Sequence, residues 1–400
     1  MIIFCRDGVV TVSWIWFIFI FAFGCCIGSF LNVVIYRLPR DKSLVTPPSS
    51  CPVCKKHIRF YDNIPLISWL MLGGKCRYCK IPISPRYFVI ELLTGIVFLG
   101  LFILYFYTDF IPGMIPFMEG GWLIYMLHII LLGAFIAASA IDLELWIIPL
   151  SICWFVTGAG LMGSALGGSI IGPELVKTSM LLPKASSGTG ALGVGAAIGL
   201  FISIFLLASG RIKRSYESES SGKNDNIRPD KCDEPDDGEP DNRYNHRLEA
   251  LREVLFLLPV IIGSVCVYLL FNKVEPLRTW WVVFCQRPFV AGFLGSLWGY
   301  FIGCGVVWAV RIFGTLGFGK EAMGLGDVHL MGAAGAVIGP FSVVVAFFIA
   351  PFFGLAWAGF QMFFKKIHQI PYGPFLSLGV FVVMILHDWI LDRIGPIFYQ

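Results

Sequence analysis

Apolar runs of about 20 residues follow one another through most of this chain, and that pattern constrains its fold more than any other feature. A run of this length matches the hydrocarbon thickness of a bilayer. Inside it the backbone must satisfy its own polar groups, which commits each run to a helix. Such runs lie at 13–35, 87–107, 122–141, 146–166, 189–209, 253–271, 289–310, 341–363 and 372–390, with a shorter one at 328–339 set off by Gly339-Pro340. The predicted fold class is an all-α polytopic membrane protein of about ten spans with a small cytoplasmic loop domain. The first run is too long for a signal peptide and ends in no small-residue cleavage site, so it reads as a retained anchor. Only 14% of the residues are charged and 57% are hydrophobic. Soluble domains carry about 25% charged residues, which excludes a soluble enzyme and a disordered scaffold. The net charge of +4 is spread along the chain and gives no reason to expect nucleic acid. The lipid bilayer is the first partner.

Basic residues in short loops mark the cytoplasmic side. Segment 37–86 holds Arg37, Arg40, Lys42, Lys55, Lys56, Arg59, Lys75, Arg77, Lys80 and Arg86 against only Asp41 and Asp62. Loop 108–121 has Asp109 and Glu119 and no basic residue, which suits the outside. Alternation then places 142–145, 210–252, 311–327 and 364–371 in the cytoplasm and both termini outside. Lys273, Arg278 and Arg287 in the external loop 272–288 run against the rule. The predicted divisions are 1–36, a first span; 37–86, a cytoplasmic metal-binding loop; 87–209, spans; 210–252, a disordered cytoplasmic insertion; and 253–400, further spans. The insertion includes EPDDGEPDN, too polar to bury a core. Loop 167–188 is read as external. The glycine-rich runs at 190–207 and 290–307 echo each other, which reads as shared helix-packing chemistry.

Two C-x-x-C pairs, Cys51/Cys54 and Cys76/Cys79, stand 21 residues apart. Each pair offers two thiolates from one tight turn, and this spacing is the ribbon pattern for tetrahedral zinc. Four thiolates leave no open coordination position, so such a Zn2+ is structural. A reduced or redox-active thiol set is the alternative. Eight further cysteines are scattered, mostly inside spans, and small apolar packing accounts for them.

Acids are scarce near the apolar runs, so each one poses a question. Asp142 ends the third span in AASAIDLELWIIP, and Asp327 follows the glycine-rich turn in MGLGDVHLMG. By the charge rule both lie at the cytoplasmic face. Two adjacent aspartates share a proton; one then activates water while the other protonates a carbonyl, which suffices to hydrolyse a peptide bond. Gly324 and Gly326 would admit an extended substrate and backbone conformations closed to other residues. The alternative for Asp327 is a helix cap, and for Asp142 a water-facing span end. Glu91 lies one turn into a span and needs a partner, Glu144 faces solvent by default, and His329 reads as a satisfied polar residue, with tuning of Asp327 as the alternative. A proton-coupled transporter would place its acids near span centres. A zinc-ribbon assembly module would leave both aspartates replaceable.

Four blocks resemble the type IV prepilin leader peptidases, membrane aspartic peptidases of the GxGD class: GSFLNVVIYRLP (28–39), the cysteine-containing stretch 50–95 with NIPLISW, IDLELWIIP (141–149), and MGLGDVHLMGAAGAVIG (323–339) followed by IPYGPFLSLG (370–379). The resemblance implies that Asp142 and Asp327 are the catalytic pair and that Cys51, Cys54, Cys76 and Cys79 form the cytoplasmic zinc set. It implies prepilin and pseudopilin substrates, cut after a Gly at the cytoplasmic side of a bacterial inner membrane. It also implies N-methylation of the new terminus with S-adenosylmethionine, for which no separate binding motif can be named. The chain departs from the family at Leu150-Ser151, where a polar residue usually follows the proline, and at Val328-His329 after the motif aspartate. The run at 253–271 is additional to the usual eight-helix plan.

Overall fold

The computed structural model describes residues 13–108, 110–111, 114–171, 182–212, 246–364, 371–387, 389–390 and 393. Among these, the elements are α1 (Ser13–Arg37), α2 (Ile67–Met71), α3 (Pro85–Phe106), α4 (Gly121–Leu145), α5 (Leu150–Ile170), α6 (Ser187–Ala208), α7 (His246–Lys273), α8 (Glu275–Cys285), α9 (Pro288–Phe318), α10 (Leu325–Ile338), α11 (Pro340–Phe364) and α12 (Gly373–Ile385), with three short 3-10 turns. No strand forms among the described residues, only isolated bridges in the cysteine loop. Among the described residues, eight helices are long and apolar enough to cross a membrane, and α10 and α12 are shorter apolar helices. Together these ten match the ten expected runs, and the chain is a multi-pass membrane protein.

Lipid offers helices no hydrophobic reason to associate, so close packing must hold them together. Small residues supply it. In α9, a Cβ on Gly299 would lie 2.0 Å from the Gly335 carbonyl oxygen of α10, and one on Gly303 2.2 Å from that of Met331. In α6, Gly195 and Gly199 meet the backbone of α7 at Gly263 and Pro259 in the same way. The echo between 190–207 and 290–307 is thus one packing device used twice. Ser296 Oγ donates to the Ala336 carbonyl at 2.6 Å, adding a polar tie between α9 and α10.

Three boundaries differ from expectation. The loop 272–288 contains α8, an amphipathic helix too short to span. Its Trp281 is buried, stacks on Phe271 at 4.4 Å and donates from Nε1 to the Ser187 carbonyl. Helix α9 runs to Phe318, so Arg311 is not in a loop but buried inside a helix, because an acid from α7 neutralises it. Helix α7 begins at His246, so 246–252 are helical; residues 213–245 of the expected insertion and 172–181 of the external loop lie outside the described residues, as do both termini and Lys365 and Lys366.

The bundle's sidedness follows from contacts. The Arg86 guanidinium, at the start of α3, pairs with Glu144 at the end of α4. The cysteine loop and the Asp142 end of α4 therefore share one end of the bundle. Gly299→Val should lower the melting temperature of the detergent-solubilised protein by several degrees, since the added carbons collide with backbone and such overpacking costs about 1–3 kcal/mol. Gly305→Val, whose Cβ meets nothing within 4 Å, is the matched control and should melt like the parent.

Candidate functional site

The cysteine loop is built from two copies of one turn. The Cys51 N–H donates to the Lys56 carbonyl and the Lys55 N–H to the Cys51 carbonyl, both at 3.0 Å. Cys76, Lys80 and Ile81 repeat the arrangement at 2.9–3.0 Å. Lys55 and Lys80, one residue past each pair, both adopt left-handed backbone with φ of 57°. Antiparallel bridges Ser50–His57 and Lys75–Pro82 close the two hairpins. The turns face each other, and one Sγ from each of Cys51, Cys54, Cys76 and Cys79 falls within 4.8 Å of all the others. Cys51 and Cys79 stand 3.7 Å apart. Tetrahedral zinc with Zn–S of about 2.3 Å needs sulfurs about 3.8 Å apart, so the four thiols suit a metal ion of this kind.

The electrostatics of the loop favour thiolates unevenly. Backbone N–H groups of Cys54 and Val53 aimed at the Cys51 sulfur hold its thiol down at about 6. Those of Cys79 and Tyr78 lower the Cys76 thiol. The Ile81 N–H pulls Cys79 down, but desolvation and the neighbouring thiols Cys76, Cys51 and Cys54 outweigh it and leave Cys79 at about 11. Four crowded thiolates repel one another, so the last protons leave only as a cation arrives. Arg77 braces the second turn by gripping Asp62 with Nε at 2.8 Å and a terminal nitrogen at 2.5 Å. The loop docks on the bundle through Trp69, whose ring lies 5.1 Å from Phe88, and through the Leu66 N–H, which donates to Glu91 at 2.8 Å. Glu91 has thus found the partner its depth demands.

Asp142 and Asp327 stand 185 residues apart in the sequence and lie at the same end of the bundle. Both are buried, at 7% and 8% exposure, and the two carboxylates lie close enough to act on each other electrostatically. Asp142 is one turn from the end of α4, where Trp146 takes left-handed backbone and stops the helix. Its Oδ2 accepts the Gly373 N–H at 3.0 Å, from the first residue of α12. A Cβ on Gly373 would lie 2.7 Å from that oxygen, so only glycine allows the approach. One turn along, Ser139 donates to Ser377, which donates to the Gly373 carbonyl, tying α4 to α12. Asp327 sits in the first turn of α10, three residues after Gly324, which caps the helix, and its Oδ2 would lie 3.4 Å from a Cβ on that glycine. Each acid therefore faces a helix start, where free N–H groups and the helix dipole favour negative charge.

The expected conformational role of the two motif glycines needs correction. Gly324 has φ of −70° and Gly326 is helical, so neither uses backbone closed to other residues. Gly326 matters for space: its Cβ would stand 2.9 Å from that of Ile148, which also touches Gly373. Ile148 is the floor between the two aspartate-bearing turns. Neither Ile148 nor Gly373 was singled out from sequence, although both lie in the blocks IDLELWIIP and IPYGPFLSLG. Glu144 is exposed, as expected, and engaged by Arg86, and so stands apart from the pair. His329 Nδ1 meets the Tyr300 hydroxyl at 3.3 Å beside the Trp154 ring, which fits a satisfied polar residue.

The Bacterial Peptidase A24 N-terminal domain model matches residues 22–105, and the Type IV leader peptidase family model matches residues 262–359. Asp142 falls between the two matched segments and Asp327 inside the second. The chain is 42% identical over 135 residues to the prepilin leader peptidase/N-methyltransferase of Myxococcus xanthus, covering 34% of this chain and 36% of the relative. It is 42% identical over 140 residues to the type 4 prepilin-like proteins leader peptide-processing enzyme of Escherichia coli, covering 30% and 46%. It is 33% identical over 223 residues to the prepilin leader peptidase/N-methyltransferase of Pectobacterium carotovorum, covering 47% and 75%. The matches thus span less than half the length of the first two relatives. No solved structure matches significantly.

Because a metal ion must displace thiol protons, affinity of the four-cysteine set for Zn2+ should rise with pH. Competition against a chromophoric chelator between pH 6 and 8 should show at least about a tenfold gain. A pH-independent affinity would contradict coordination by all four thiolates.

Proposed function

Since the chain belongs to the type IV leader peptidase family, we propose that it is a membrane-embedded aspartic endopeptidase that removes the basic leader of prepilins and pseudopilins. The single observation that carries this reading is the closeness of buried Asp142 and Asp327 on different helices at one end of the bundle, with Asp142 held by the Gly373 N–H. Such a pair shares one proton. The ionised carboxylate takes a proton from water, whose oxygen attacks the scissile carbonyl carbon. The protonated carboxylate donates to the carbonyl oxygen. Collapse of the tetrahedral intermediate breaks the C–N bond, and the leaving amine takes up a proton from the pair. A bond just outside the apolar segment of a membrane-anchored substrate lies at the depth of these helix ends. Gly324 leaves room for an extended backbone beside Asp327, whereas Gly326 is packed on Ile148.

The charge asymmetry of segment 37–86 supports a cytoplasmic active site; a bacterial inner membrane and cleavage after a Gly are what the family resemblance implies. Cys51, Cys54, Cys76 and Cys79 hold one structural Zn2+, which fixes the loop that covers this end of the bundle. The names of the relatives support N-methylation of the new terminus by S-adenosylmethionine as a second activity; the methyl group is the cofactor's chemistry, and the chain's part is to present the amine.

Asp142→Asn and Asp327→Asn should each lower leader cleavage by at least about 10³-fold with the protein still in the membrane. Mass spectrometry of a prepilin incubated with each variant reads this directly, and near-normal cleavage by either would sink the pair. The same spectra, with S-adenosylmethionine present, should show the mature product gaining about 14 mass units per methyl group; an unmodified terminus would reject the second activity. Metal analysis should find zinc in the parent and none in Cys51→Ser/Cys76→Ser.

A further inference from the structure

Helix α2 is a five-residue helix between the two cysteine turns, and neither the metal set nor the hydrolysis described above makes use of it. Its two faces differ. Ser68 is buried and Trp69 is half-buried, with the Trp69 ring 5.1 Å from Phe88 of α3. Ile67, Leu70 and Met71 stand three and four residues apart on the opposite face, and they are 54%, 60% and 83% exposed. Large apolar side chains grouped in this way mark an interaction surface.

Depth decides what covers that face. The Leu66 N–H, just before α2, donates to Glu91 Oε2 at 2.8 Å, and Glu91 is buried in α3. The apolar run that carries Glu91 begins at residue 87. At a helical rise of about 1.5 Å per residue, the bond lies about 6 Å inside that run. Phe88, the partner of Trp69, belongs to the same run. The polar boundary is marked one turn back, where Arg86 pairs with exposed Glu144. Helix α2 is therefore held level with the first turn of a span. Interfacial helices lie at this depth, with the apolar face about 5–10 Å into the boundary between headgroups and acyl chains.

Two further observations agree. Leu66 takes φ of 61° and ψ of −52°, and the Ile67 N–H donates to the Pro65 carbonyl at 2.6 Å, a γ-turn that a leucine rarely adopts. Such strain persists only where surrounding contacts fix it, and the bond to Glu91 is one of them. The charge of the loop fits lipid as well. Segment 37–86 holds ten basic residues against two acids, and Arg77 already neutralises Asp62. Cations beside an apolar face suit phospholipid phosphates and acyl chains and repel a basic leader. We propose that α2 is an interfacial foot, whose Ile67, Leu70 and Met71 dip into the acyl region of the leaflet at the aspartate end of the bundle. The occupant of this face is phospholipid. With Leu66 and Trp69 gripping α3, the foot pins the metal-binding loop to the bilayer, so this loop stands only partly in water.

The test is photocrosslinking of the full chain in nanodiscs of phosphatidylglycerol and phosphatidylcholine. The photoreactive residue p-benzoylphenylalanine replaces Leu70 in one sample and Met71 in another; both side chains are exposed, so the exchange leaves the packing of the loop intact. Phe201 on α6 and Phe352 on α11, 74% and 71% exposed inside spans, are replaced in the same way as references. Mass spectrometry after irradiation counts phospholipid adducts. Leu70 and Met71 should each give at least about a fifth of the higher reference yield, as expected of side chains at acyl depth. A lower yield at either position overturns the proposal, because the face then stands in water or against another part of the chain. A prepilin-type peptide with a basic leader and an apolar segment, added before irradiation, should leave the lipid yields within about twofold, since like charge keeps the leader from the loop. Capture of that peptide at Leu70 or Met71 in place of lipid assigns the face to substrate and equally overturns the proposal.

Discussion

A carboxylate taken out of bulk water needs donors that the chain itself provides, and the rest of this structure follows from that need. Asp142 obtains its donor from the start of α12, and Asp327 sits in the first turn of α10. The donor to Asp142 is not available to an isolated span. The α4–α12 contact therefore has to be close enough for a peptide N–H to touch a side chain, which requires Gly373. The α9–α10 contact has to bring Arg311 beneath the turn that caps Asp327, which requires Gly299 and Gly303. The small-residue seams that hold the bundle together in lipid are thus the same seams that set the acids in place.

The cysteine loop answers a different problem. It is a short polar segment with little core of its own, standing on one end of an apolar bundle. Two matching turns aim four thiols at one point, and backbone N–H groups directed at Cys51 and Cys76 favour their charged forms. The loop is joined to the bundle by polar and aromatic contacts, Leu66 with Glu91 and Trp69 with Phe88. Glu91 therefore serves as a bridge between loop and membrane helix, and Arg86 with Glu144 makes a second bridge nearby.

Much of the fold is readable from single residues in order. Ten apolar runs correspond to ten helices because lipid leaves a long apolar segment no other conformation. Where the reading fell short, a contact between distant segments was responsible. Arg311 reads as the end of a span, and Glu253, 58 residues away, together with Glu321 keeps it inside a helix. Helix α8 reads as a loop because it is too short to span, and what makes it a helix worth forming is the surface of α6 and α7 that covers Trp281. Gly324 and Gly326 read as conformational glycines, yet what Gly326 supplies is room for Ile148.

By itself the sequence determined the membrane class, the helices, the four-thiol set and which acids were worth notice. Each of these depends on composition, spacing or periodicity, which are local properties. Only the tertiary structure decided that Asp142 and Asp327 lie within electrostatic reach of each other, that Gly373 supplies an N–H donor to Asp142, and that a buried arginine is tied to the turn before Asp327. These depend on which helices pack together and at what height, and that is set by backbone contact at a few glycines whose partners no local pattern reveals.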